Sequence, residues 1–164
     1  MSTMSGMADA DPSGGLWNWC AAAPLDASHV RLALAAVLGV PVTDLAAEPG
    51  AAPEPGVPAV LCDVWHVAGD FPTTIDCYLV PAGRAEATAA AALAARLDTA
   101  LLMPDDTLNP TRYLLVTPDG SRQAVHVDER ETDDGVERRH PRPCTGHDPA
   151  CAAYPGCGGR TAAA

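Results

Sequence analysis

Four side chains near the end of the chain can do metal chemistry: Cys144, His147, Cys151 and Cys157 fall within fourteen positions. Thiolates and imidazoles are the donors of a tetrahedral zinc site. The surrounding segment is too rich in Pro and Gly to build a core of its own. Two residues between Cys144 and His147 let both face one ion, as in a zinc knuckle. The spacing from Cys151 to Cys157 matches no common finger or ribbon, and His140 is a spare donor. Four protein ligands leave no open position for water, so an ion held this way is structural. The competing reading is an irregular tail in which the cysteines are incidental.

The other reactive side chains make weaker cases. Cys62 and Cys77 sit in strand-like stretches and Cys20 follows Trp17 and Trp19. Asp63 and Asp76 flank two of these thiols and oppose thiolate formation, so all three read as buried structural cysteines. His66 and His126 lie in alternating segments, but no Gly-x-Ser-x-Gly elbow supplies a nucleophile. No catalytic residue is assigned, and a small enzyme is the last of the functional alternatives. Asp105 and Asp106 stand between Pro104 and Asn109-Pro110, which is turn chemistry. Neither they nor Asp133 and Asp134 have calcium-loop spacing. Gly156, Gly158 and Gly159 precede no helix that would bind phosphate.

The elements that must position these groups belong to an acidic chain of 164 residues with net charge −11. All ten basic residues are Arg. Residues 1–137 carry a net −14 and residues 138–164 a net +3. An acidic body repels nucleic acid and anionic membrane and is steered toward a basic protein partner. Its candidate contacts are Asp63, Trp65, Asp76, Tyr78, Asp105, Asp106, Asp133 and Asp134. No apolar run approaches the ~20 residues that span a bilayer. Met1–Trp17 lacks the basic and apolar regions of a secretory leader, so a cytoplasmic setting with reduced thiols is expected.

Residues 1–15 are small and polar and read as disordered. Asp26 and Ser28 can cap a helix over Ala27–Leu38, which Gly39 and Pro41 end. A short turn over Val42–Ala46 and a Pro-rich linker over Glu48–Pro58 follow. Val60–Val67 and Thr73–Val80 read as a hairpin, with Ile75, Cys77 and Leu79 on one face. An Ala-rich helix spans Glu86–Leu97, and Leu101–Met103 is a short strand. Arg112–Thr117 and Arg122–Asp128 flank the turn Pro118-Asp119-Gly120-Ser121. The charged run Asp128–Asp134 reads as a solvated exit. The expected fold is α+β: a mostly antiparallel sheet of four to five strands with two helices on one face. Residues 16–137 form the acidic domain, and 138–164 a Cys/His/Pro/Gly-rich tail.

From Phe71 to Asp128 the chain carries an Ala/Leu helix, Leu101-Leu102-Met103-Pro104-Asp105-Asp106, Asn109-Pro110-Thr111-Arg112-Tyr113-Leu114-Leu115-Val116, the Pro-Asp-Gly turn and Ala124-Val125-His126-Val127-Asp128. This stretch resembles small acidic bacterial immunity proteins of polymorphic toxin systems. The resemblance implies a non-enzymatic protein that occludes a basic partner and carries no catalytic residue. The alternative from another class is a zinc-binding regulatory module acting through its C-terminal Cys/His cluster.

Overall fold

The computed structural model describes residues 15–44, 59–105, 109–153 and 157. Its strands are β1 (Gly15–Ala21), β2 (Val42–Asp44), β3 (Val60–His66), β4 (Thr73–Val80), β5 (Leu101–Pro104), β6 (Arg112–Val116), β7 (Arg122–Thr132) and β8 (Gly135–Pro143). The helices are α1 (Ala27–Leu38), α2 (Glu86–Leu97) and the single turn α3 (Pro149–Ala153). The eight strands form one sheet in the order β2-β3-β4-β1-β5-β6-β7-β8. Only the β2–β3 pair is parallel among the described residues. No described helix is long and apolar enough to cross a membrane.

The α+β class stands, but the sheet has eight strands where four to five were expected. β1 lies between β4 and β5, so its partners are remote in sequence. β2 is three residues long where a turn was expected. The remaining difference is β8, at the sheet edge, where Pro141 and Pro143 are tolerated. The solvated exit is instead the outer half of β7, with Asp128 opposite Arg139, Glu129 opposite Arg138 and Arg130 opposite Glu137. Opposite charges facing across an antiparallel pair stabilise it. A domain boundary after residue 137 therefore falls inside a strand. Of the expected disordered N-terminus only Gly15 is described, and it begins β1. The Pro-rich linker lies outside the described residues.

Alternation then divides the apolar residues between two faces. Trp17, Trp19, Ile75, Leu101 and Val116 point to one side and meet Leu34 of α1 and Leu93 of α2. The indoles of Trp17 and Trp19 stack at 5.3 Å. Asp26 caps α1 by accepting from the Ser28 and His29 N–H groups, and Gly39 ends it at φ 70°. Phe71, Leu102, Val125 and Val127 form a smaller cluster on the opposite face with Cys20.

The β7–β8 hairpin curls over that second face. Gly69 bridges to Arg138, and the Asp70 N–H donates to the Arg138 carbonyl at 2.8 Å. The hairpin's turn reaches Trp65: a Cβ on Gly135 would lie 2.4 Å from Trp65 Cζ3, at φ 127°. A bulge corrects the expected place of Leu79. Gly15 pairs with Val80 but Trp17 with Cys77, so β4 holds one extra residue. Leu79 takes it at φ 62° and is 53% exposed, while Val80 fills the buried position.

Candidate metal centre

The site begins with a strand. Val125 and Val127 of β7 point into the second apolar cluster, so His126 between them points the other way. Arg112 of β6 stands opposite His126 in register. Just after β8 the Cys144 N–H donates to the Ala124 carbonyl at 2.8 Å, which holds the chain against β7. The turn at Gly146 leads into α3, where Asp148 accepts from the Ala150 N–H at 2.8 Å. That one turn carries Cys151 inward, and Cys157 arrives from beyond it.

These placements gather four donors. One ligand atom each from His126, Cys144, Cys151 and Cys157 lies within 4.8 Å of all the others. His126 Nε2 is 3.1 Å from Cys151 Sγ and 3.6 Å from Cys157 Sγ, and Cys144 Sγ is 3.8 Å from Cys151 Sγ. A tetrahedron with Zn–S bonds of ~2.3 Å has edges of about 3.8 Å, so the spacing suits a zinc ion. A disulfide needs ~2.05 Å, and all six cysteines are free thiols.

A second ring of residues orients the imidazole. Thr111 Oγ1 donates to Asn109 Oδ1 at 2.9 Å and lies 3.2 Å from His126 Nδ1. With its hydrogen spent on Asn109, the hydroxyl accepts from Nδ1–H, which leaves the Nε2 lone pair facing the thiols. This is how metal-bound histidines are held. Asn109, almost fully buried, also donates to the Ala150 carbonyl at 2.7 Å and to Cys157 Sγ at 3.5 Å. Arg112 Nε donates to Cys144 Sγ at 3.4 Å, and its Nη1 pairs with Asp105. Arg142 grips Asp148 from Nε at 2.5 Å and Nη2 at 3.2 Å.

Burial and neighbours shift the donors in different directions. Burial pushes the Cys157 thiol up to about 11, and the neighbouring Cys151 and Cys144 add to that rise. Burial also opposes charge on Cys144, but hydrogen bonds from Arg112 and the other thiols bring it below the ordinary value. Burial lowers His126 and so favours the neutral, ligand-competent imidazole. A dication among these donors would favour their deprotonated, ligating forms and offset the repulsion between thiolates.

Three of the four ligands named from spacing are here, and His147 is not. It is exposed, with its backbone N–H turned to Thr145 Oγ1 at 3.2 Å. A turn at Gly146, φ 85°, separates Cys144 from His147, and His126 takes the fourth place in the cluster. His140 is also elsewhere, bonded to Asp128 at 3.1 Å. The signal for His126 was a histidine alternating with two valines, opposite a strand that follows Asn109 and Thr111.

The candidate partner contacts separate into groups. Asp63 and Asp76 oppose each other across β3 and β4, and Trp65 Nε1 donates to Asp76 Oδ2 at 3.3 Å. Tyr78 shares this face, its phenol raised first by Asp76. Asp133 and Asp134 are exposed in the hairpin turn, which Gly135 brings against Trp65. Asp105 stands apart: its side chain is nearly buried and paired with Arg112. Asp106 lies outside the described residues. No protein-family model, curated protein or solved structure matches the chain.

Proposed function

We propose that the chain is a non-catalytic α+β module whose C-terminal segment is fastened to the sheet by one structural zinc ion. The observation that carries this reading is the preset donor set, His126 Nε2 with Cys144, Cys151 and Cys157, within 4.8 Å. Four protein donors close the coordination sphere, so the ion's role is to hold structure. Soft thiolates with one imidazole favour zinc over calcium or magnesium. Three further free thiols at Cys20, Cys62 and Cys77 fit a reducing compartment such as the cytoplasm. The test is metal analysis of protein purified without added zinc. One zinc per chain is expected in the natural sequence and in His147→Ala, and loss of zinc in His126→Ala and Cys151→Ser. Retention of zinc by His126→Ala sinks the reading.

A second reading concerns what the module binds. The curl of β7–β8 brings Asp133 and Asp134 to Trp65, on the face that carries Asp63, Asp76 and Tyr78. This convergence supports an acidic, aromatic surface for a basic protein, of the kind immunity proteins offer a toxin. Neutralising Asp63, Asp133 and Asp134 together should slow association and flatten its salt dependence. An unchanged rate would remove this reading and leave the zinc reading intact.

A further inference from the structure

The four donors are not equally sheltered. His126 and Cys151 are 0% exposed and Cys157 3%, whereas Cys144 is half-buried at the mouth of the site. Cys144 is thus the least sheltered of the four donor residues. Arg112 Nε, 3.4 Å from Cys144 Sγ, is a fixed cation beside that sulfur. Behind it, Cys151 Sγ stands 3.8 Å away on a single helical turn. A short helix can yield the ~2 Å that disulfide formation needs. Cys157 is restrained from the far side by Asn109.

We propose that Cys144 is an oxidant-modification site, at which a hydroperoxide converts the Cys144–Cys151 pair to a disulfide and expels the ion. This rests on the zinc reading and names how that same site is regulated. In the first step the Cys144 thiolate attacks one peroxide oxygen and the O–O bond breaks. With hydrogen peroxide, hydroxide leaves beside Arg112 and a sulfenic acid remains. Cys151 then attacks the Cys144 sulfur, the S–O bond breaks, and a second hydroxide leaves. Two protons convert both hydroxides to water, and two electrons have passed from the thiolates to the peroxide. Zinc loses two of its four ligands, which frees Cys157 from His126 of β7.

The experiment treats the full zinc-loaded chain with hydrogen peroxide, follows metal release with a chromogenic chelator, and maps disulfides without reduction. Zinc content is measured first. Protein that never holds zinc overturns the zinc reading and this one with it. Zinc present but retained through a tenfold excess of peroxide overturns the oxidant reading alone. The expected result is stoichiometric release with a Cys144–Cys151 disulfide, reversed by thiol reductant and added zinc. Release with the bridge at Cys157, or with sulfonic acids only, refutes the assigned pair. Cys144→His keeps four donors, and its zinc release should be at least about tenfold slower, since imidazole is off the thiol oxidation ladder. If that variant does not load, the disulfide map of the natural chain decides alone.

Discussion

The helix-covered part of the sheet and its C-terminal end solve burial in different ways. Under α1 and α2 the core is mostly Trp, Leu, Ile, Val and Ala, with Cys62, Cys77 and Met103 packed among them, drawn from strands and helices with strong local preferences. At the other end β7 and β8 face each other with Asp, Glu and Arg, and the chain then folds in on sulfur and imidazole. After Val136 the chain contains no Val, Leu, Ile, Met, Phe or Trp. A segment so poor in large apolar groups cannot offset its ordering entropy by hydrophobic burial. Directional bonds must replace area, and in the proposed zinc site a metal would supply the strongest of them. Small or apolar-poor units elsewhere rely on metals or disulfides for the same reason.

Removing the metal should separate the two regions most sharply. Structural zinc binds with free energies on the order of 10 kcal/mol in small domains. Chelation should therefore free residues 144–153 and Cys157 to exchange their amide hydrogens, while α1 and α2 stay protected. Equal loss of protection in both helices would collapse the distinction. Next in size is a core truncation. Leu34→Ala or Leu93→Ala should cost about 2–5 kcal/mol in denaturant unfolding, with zinc stoichiometry unchanged. Loss of zinc in either would show that the two ends are one cooperative unit.

The hairpin offers a finer test. Gly135→Ala forces a Cβ toward Trp65 at φ 127° and should cost about 1–3 kcal/mol. The extra exchange should appear in β7 and β8 rather than in the helices. The smallest effect expected is on pH dependence. His140 and then Arg142 hold Asp128 below the usual carboxylate range, and Arg142 and then the Ala150 N–H do the same for Asp148. A depressed carboxylate binds fewer protons folded than unfolded, so its contribution is complete above about pH 4 and fades below it. Loosening of Arg142 contacts should thus begin as pH drops under that value. Arg142→Gln should flatten the Asp128 part of this limb, measured by thermal melts of the metal-free protein, in which the β7–β8 contact remains.

How far the molecule could be read beforehand follows the same division. Helix α1 carries its own start and stop signals, α2 its run of Ala, and the β6–β7 turn Pro-Asp-Gly, so these elements were legible. β1 was not, because its partners β4 and β5 lie more than fifty residues away. β8 has prolines and arginines that argue against a strand until the acids of β7 are placed opposite. Cys144, Cys151 and Cys157 announce themselves by type. His126 does not, since the fourth ligand is chosen by the fold rather than by spacing. Leu79 shows the same limit on a smaller scale, because one bulge reverses the alternation.

The distance along the chain between His126 and Cys157 also sets an order of events in synthesis. β6 and β7 are neighbours in the chain and can pair, presenting the imidazole, before β8 joins the sheet. The last thiol is thirty-one positions later. If the site holds zinc as proposed, its coordination sphere would close only after Cys157 has left the exit tunnel, so a nascent chain that stalls before that point would carry an incomplete clasp. Zinc uptake would then report that translation has passed the final donor.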